Sequence, residues 1–181
     1  MEVEYRKAKK LNIQELAELH VNIWEEVYRG KLDDHFLDKI TVETRKKQWR
    51  KFLKNRNDRE LFLAEIKEKS QSKIAGFVSC GPARDEKLKP KFPGEIYAIY
   101  VDENYWRQGI GSNLFERAKN FLQKKELYPF YLWVLKELTK TRKFYESMGG
   151  EIVAEEVTRI GRFKHEDLIY GWRGREKDGK N

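Results

Sequence analysis

Apolar and polar positions alternate or recur along this chain with periods that assign most of its elements. Residues 2–8 (EVEYRKA) read as a short strand. Ile13, Leu16, Ala17, His20, Ile23, Trp24 and Val27 fall at helical spacing, Asn12 and Glu15 form a predicted capping box, and Tyr28-Arg29-Gly30 ends the helix. A short helix near 33–40 and a longer one near 42–55 follow. Strands are predicted at 60–67 (ELFLAEIK) and 73–80 (KIAGFVSC), joined by a turn at Lys69-Ser70-Gln71-Ser72. Residues 82–93 hold three of the four prolines and read as a loop. Residues 94–101 (GEIYAIYV) are the clearest strand. A helix starting at Gly109 is marked by Ile110, Leu114, Phe115, Ala118, Phe121 and Leu122. The apolar run 129–135 suits a buried strand. A helix near 140–148 ends at Gly149-Gly150, and strands at 151–158 and 163–172 close the domain.

This order predicts a mixed α/β fold around one central, mostly antiparallel sheet, with a single parallel crossover around the helix at Gly109. The 181 residues form one domain over 1–173, with a polar tail at 174–181. Charged residues make up 38% of the chain, so the low mean hydropathy reflects a charged surface on a chain that still has 39% hydrophobic residues for a core. A single cysteine, Cys80, excludes an intrachain disulfide framework, and its place at a strand end predicts a buried, inert thiol. His20, His35 and His165 form no ligand pair, so no metal is expected. The N-terminal segment lacks the apolar run of a secretory signal, and no stretch approaches ~18 apolar residues, so a cytoplasmic protein without a membrane span is expected.

The net charge of +8 suits a polyanionic partner, either nucleic acid or a small ligand. Its distribution is uneven. Residues 41–60 hold eight bases against three acids, whereas 18–38 hold six acids against two bases.

Two segments carry chemistry. In the first, strand EIYAIYV leads through DENYW into Arg107-Gln108-Gly109-Ile110-Gly111-Ser112 at the start of a helix. Glycines let backbone approach a phosphate, and the first amides of a helix lack intrahelical partners and favour negative charge. The segment lacks the Gly-Lys-Ser/Thr of a Walker loop and the third glycine of a dinucleotide fingerprint. The second segment, WVLKELTKTRKFYESMGGE (133–151), is a buried strand followed by an amphipathic helix.

Together these segments closely resemble the GNAT superfamily of acyl-CoA-dependent N-acetyltransferases. IYAIYVDENYWRQGIGSNLFERA is similar to its acetyl-CoA motif, and residues 133–151 to the motif that follows. The N-terminal stretch LHVNIWEEVYRGKLDDHFLDKITVETRKKQWRKFL resembles the branch that includes PaiA-like polyamine acetyltransferases. The resemblance spans about residues 3–172. It departs at Trp106, where the family usually has Gln or Arg, at Leu138, where it has an Asn that contacts the pantetheine arm, and at Thr141, where it has Ala.

The resemblance implies a GNAT fold of about seven strands and four to five helices, with a splayed parallel strand pair at the cofactor site. It implies acetyl-CoA as donor and a primary amine as acceptor, with direct attack in a ternary complex. Glu95 takes the general-base position and is expected to share a face with Tyr97 and Ile99. Tyr145 matches the general acid. Ile99, Tyr100 and Val101 would flank the pantetheine arm. Trp106, Arg107, Gln108, Gly109, Ile110, Gly111, Ser112 and Arg142 would surround the phosphates. Trp24, Glu25, Tyr28 and Tyr97 would form the acceptor side, where the acidic excess, including Glu26, Asp33 and Asp34, would suit a cationic amine such as a polyamine. A homodimer fits the branch. Two other readings stay open: a basic nucleic-acid-binding module and a GNAT-fold acyl-CoA-binding protein with little activity.

Overall fold

The computed structural model describes residues 2–68 and 71–174. The elements run β1 (Glu2–Lys7), α1 (Ile13–Tyr28), α2 (Asp34–Leu37), α3 (Val42–Lys54), β2 (Glu60–Glu68), β3 (Gln71–Pro82), β4 (Gly94–Val101), α4 (Ile110–Lys124), β5 (Phe130–Leu135), α5 (Thr139–Ser147), β6 (Glu151–Ile160) and β7 (Phe163–Trp172). Short 3-10 turns at Lys10–Asn12 and Glu103–Tyr105 precede α1 and follow β4. The seven strands form one sheet in the order β1-β2-β3-β4-β5-β7-β6, and β4 with β5 is its parallel pair. No helix among the described residues is long and apolar enough to cross a membrane.

The amphipathic faces predicted from spacing pack on opposite sides of this sheet. Leu16, Ala17 and Ile23 of α1 and Trp49 of α3 close on Leu61, Leu63 and Phe77. Ile110, Leu114, Phe115, Ala118 and Leu122 of α4 close on Ala64, Val78, Ile96 and Leu132, joined by Tyr145 of α5. Each fully buried large side chain contributes about 1.5–3 kcal/mol, so the sheet is held from both faces.

Two local expectations are corrected. Asn12 does not cap α1. It lies in a helical conformation inside the preceding 3-10 turn, and its Oδ1 accepts from the Lys9 N–H and from Arg6. Glu15 bonds the Ile74 N–H at 2.6 Å instead of closing a capping box. The β2–β3 turn is also shorter than expected: Gln71 and Ser72 already belong to β3, because they pair with Glu68 and Lys67. Lys69 and Ser70, and the tail from residue 175, lie outside the described residues.

Candidate acetyl-transfer site

β4 and β5 are hydrogen-bonded partners only at Gly94–Phe130 and Glu95–Tyr131. Beyond Glu95 the two strands diverge, and the side of β4 facing β5 has no strand partner from Ile96 to Val101. This leaves backbone groups of Ile99, Tyr100 and Val101 along an open cleft. Part of that edge is already used, since the Trp106 indole donates to the Val101 carbonyl at 2.8 Å. Lys140, at the start of α5, lies 6.0 Å from the same indole ring. Trp106 therefore stands at the mouth of the cleft and fixes the loop between β4 and α4.

On the other strand neighbour, the β3–β4 register jumps from Ser79–Ala98 to Cys80–Ile96. Tyr97 is the extra residue of this β-bulge. The bulge turns Tyr97 and Ala98, adjacent in sequence, towards the α1/α3 face, where Tyr97 meets Phe52 and Ala98 joins the Leu61–Phe77 cluster. Ile96, Ile99 and Val101 face α4. Strict alternation would have placed Ile99 with Glu95 and Tyr97. The bulge moves Ile99 to the opposite face.

Past Trp106 the chain enters α4 through two left-handed residues, Arg107 at φ 61° and Gly109 at φ 76°. Gly109 is the N-cap, and no side chain caps the helix. The N–H groups at its start are thus left to an external acceptor, and successive amides in such a turn form an anion-binding concavity. Gly111 keeps the approach narrow: a Cβ there would lie 3.4 Å from the Phe144 ring. Arg107 and Gln108 are exposed beside this turn. Arg142 is held on the other wall, with its Nη1 donating to the Lys136 carbonyl at 3.1 Å and its Nε to the Tyr170 hydroxyl at 3.4 Å. Leu138 stands at the N-cap of α5 without a capping hydrogen bond and packs into the core. These uncapped amides, with the open β4 edge, fit a pyrophosphate with an extended arm.

Tyr145 is buried in α5, and burial, reinforced by nearby Tyr100, pushes its phenol well above the usual range. It is therefore protonated at neutral pH. No side-chain hydrogen bond ties its hydroxyl to a neighbour among the described residues, whereas the Tyr170 hydroxyl beside it is held by Arg142 and Glu146. Glu95 is only 1% exposed. Its carboxylate accepts from Arg84 Nη2 at 2.5 Å, from Arg84 Nε at 3.1 Å, from the Arg84 N–H at 2.9 Å and from the Tyr131 hydroxyl at 3.0 Å. The free carboxylate expected of a base is instead one half of a closed ion pair, and Arg84 was not anticipated from sequence at all.

A concavity of about 380 Å³ lies between α1, α3 and β4. Trp24 and Tyr97 line it, joined by Tyr100, Ser79 and His20. Tyr28 and Glu25 do not line it. The Tyr28 hydroxyl sits one step behind, 3.1 Å from the Tyr100 hydroxyl. Glu25 follows Trp24 by about 100° around the helix and binds Arg29 at 2.6 Å. Asp34 and Asp38 clamp the same guanidinium, and Asp33 accepts the N–H groups of His35 and Arg162. The acidic segment thus ties α1 to α2 and to the β6–β7 turn, and lines no part of the cavity. His20, on the apolar face of α1 as its spacing indicated, is buried in the cavity wall. No cluster of three metal-ligating side chains occurs among the described residues. Cys80 is fully buried, and burial raises its thiol far above the usual range, in agreement with an inert side chain.

A cleft formed by splayed parallel strands, an uncapped helix start and an adjoining cavity defines an acyl-transfer architecture. The profile of the Acetyltransferase (GNAT) family matches residues 13–150, and the chain belongs to that family. It is similar to the uncharacterized N-acetyltransferase YuaI of Bacillus subtilis, 29% identical over 170 residues that cover 94% of this chain and 92% of the relative. An uncharacterized N-acetyltransferase of Archaeoglobus fulgidus is 28% identical over 145 residues, 80% of this chain and 90% of that one. Among solved structures, the fold matches PaiA N-acetyltransferase from Thermoplasma acidophilum in complex with coenzyme A (TM-score 0.70, 20% identity, 96% and 100% of the two chains). It also matches YncA from Salmonella typhimurium with its cofactor acetyl-CoA (TM-score 0.71, 11% identity, 100% and 99%). The protein is a GNAT-family N-acetyltransferase.

Proposed function

We propose that this enzyme moves the acetyl group of acetyl-CoA to a primary amine by direct attack in a ternary complex. The observation that carries the reading is the open edge of β4 running into the uncapped start of α4. Acetyl-CoA supplies a thioester, an activated acyl donor. The N–H groups of Gly109, Ile110, Gly111 and Ser112 hold its pyrophosphate, with Arg107 and Gln108 at the rim. Backbone groups of Ile99, Tyr100 and Val101 align the pantetheine arm, and Trp106 closes the mouth. Arg142 reaches the donor only through the β5–α5 wall that it braces.

Tyr145 donates a proton, or a hydrogen bond, to the departing sulfur. Its raised pKa keeps that proton available across the working range. The acceptor amine enters through the cavity bounded by Trp24, Tyr97 and Tyr100. Glu95 acts as a positioning residue that fixes Arg84 on the cavity wall, because a carboxylate carrying four hydrogen-bond donors has no lone pair free for an ammonium. The amine is bound with its proton already lost to solvent, which favours amines of low pKa: an α-amino group at ~7.7–8.0 is far more often neutral than a lysine-type amine at ~10.4.

The test is binding first and transfer second. Acetyl-CoA should raise the melting temperature by several degrees at ~100 times its Kd, since that saturation adds about 2.7 kcal/mol. Mass spectrometry should then detect an acetylated amine and free CoA. Absence of a thermal shift with acetyl-CoA and of any acetylated product would overturn the reading. Duplex DNA should give no shift at physiological salt.

A further inference from the structure

The cavity beside β4 is cationic. Arg45 and Lys51 of α3, Arg59 and Arg84 line it, and no aspartate or glutamate does. Glu95, the carboxylate paired with the lining residue Arg84, is engaged by Arg84 and the Tyr131 hydroxyl. Arg45, Lys51 and Arg59 form no ion pair among the described residues. The basic stretch at 41–60, which suggested nucleic acid, therefore presents part of its charge inside a concavity too small for a duplex.

Arg45 is the most telling member. Its guanidinium carbon lies 4.4 Å over the Trp24 ring, and its Nη1 donates to Gln48 Oε1 at 2.7 Å. These two contacts hold the planar fork in place. Its Nε and Nη2 are nonetheless buried without an acceptor. The Trp24 and Trp49 indole N–H groups and His20 Nδ1 are buried and unpartnered as well. Buried donors are normally satisfied, and charged donors most of all. A preorganised guanidinium, with unpartnered indole donors among the residues that line the same cavity, is complementary to an oxygen anion and repels a polycation.

We propose that the acceptor is an amine that also carries an anionic oxygen group, a carboxylate or a phosphate, held by the Arg45 fork while the amine lies against β4. This rests on the reading of the cleft as an acetyl-transfer site and narrows its acceptor. Trp24 and Tyr100 supply an aromatic wall to the body of such a molecule. Arg59 and Lys51 add positive potential around it, which raises the local concentration of anionic acceptors. A polyamine, the acceptor class suggested by the resemblance, meets a wall of its own sign.

Matched pairs of acceptors test the idea. Tyrosine against tyramine isolates a carboxylate, phosphoethanolamine against ethanolamine isolates a phosphate, and spermidine represents polycations. Initial rates with acetyl-CoA should favour at least one anionic member over its neutral counterpart by ~10-fold or more in kcat/KM. Direct titration without acetyl-CoA should show the same preference in Kd. Arg45→Gln should narrow the preference towards unity, and Arg59→Gln should narrow it part of the way. A retained acetyl-CoA thermal shift in each variant shows that the fold is intact. Equal or better use, or binding, of both neutral members than of their anionic counterparts, or of spermidine than of either anionic member, would overturn the proposal, as would a preference untouched by both variants. Failure of the transfer reading is separate: it appears as no acetyl-CoA shift, and the titrations then still decide the anion site.

Discussion

The Arg84 guanidinium closes on the Glu95 carboxylate with Nη2 at 2.5 Å and Nε at 3.1 Å, but the two partners differ sharply in exposure: the Glu95 side chain is 2% accessible and that of Arg84 64%. Removing either one therefore leaves a different remnant. Arg84→Ala strands a buried carboxylate with only the residue 84 N–H and Tyr131 as donors. Glu95→Gln leaves a guanidinium that water can reach. The first should cost about 3 kcal/mol and the second about 1 kcal/mol, read from urea unfolding. Equal losses would show that the two partners of the pair are equally buried in solution. The pH–rate profile of Glu95→Gln should keep its acidic limb while KM for the acceptor rises. Loss of that limb with KM unchanged would restore Glu95 as the base.

Tyr145 has a phenol tied by no side-chain hydrogen bond among the described residues and a pKa raised by burial and by Tyr100. Tyr145→Phe removes one oxygen and no intramolecular hydrogen bond. It should lower kcat by about 100-fold, with acetyl-CoA affinity and melting temperature nearly unchanged. Because the wild-type group stays protonated, wild-type activity should show no alkaline decline from this residue below pH ~10. A wild-type turnover number in the variant would remove Tyr145 from the chemistry.

The open edge of β4 and the uncapped start of α4 were readable in the sequence and the lining of the cavity was not, for reasons tied to particular residues. The run from Gly94 to Ser112 announces itself because alternation, a polar turn and two glycines at a helix start all depend on local spacing. The bulge at Tyr97 left no such mark: Tyr97, Ala98, Ile99 and Tyr100 are each acceptable on either face, so the shift that separates Ile99 from Glu95 comes from pairing with β3. The acidic patch misled because Glu25 is Trp24's neighbour in sequence yet points elsewhere around the helix. The residue that covers the Trp24 ring is Arg45, brought in by a different helix. Arg84 sits in a charged, proline-containing stretch where nothing in its neighbours marks it as the partner of a buried carboxylate.

Gly109 holds α4's first amides in position through a left-handed conformation. A Cβ there has space, with Asn113 Nδ2 the nearest atom at 3.7 Å, so the cost of Gly109→Ala is conformational. Strain of about 1 kcal/mol is expected, much of which the turn can relieve by rotating its N–H groups off target. Stability should fall slightly, while the Kd for CoA, measured by calorimetry, should weaken by about tenfold or more. Gly111→Val should weaken it too, by driving a branched side chain into Phe144. Unchanged CoA affinity in both variants would dissociate this turn from the phosphates.

His20 gives a pH dependence that can be separated from that of the carboxylates. It is packed by Trp24 of its own helix, Arg45 and Trp49 of α3, Phe77 of β3 and Tyr100 of β4. Burial, and then the Arg45 charge, hold its pKa well below the ordinary value. In the unfolded chain it titrates near ~6.5. Below that pH the unfolded state binds a proton that the folded state refuses, so stability falls as pH drops. The slope approaches about 1.4 kcal/mol per pH unit until the folded pKa is reached. Above pH ~7 the term is flat. Asp33, Glu43, Glu65 and Asp102 have lowered pKa values, so their own losses begin only below ~4.5, nearer the ordinary carboxylate range. Unfolding free energies measured at pH 7.5, 6.0 and 5.0 should therefore decline in the wild type and decline less in His20→Gln, whose buried amide does not titrate. Parallel curves would mean that His20 accepts its proton in the folded protein and that the Arg45 fork lies farther from it than the packing implies.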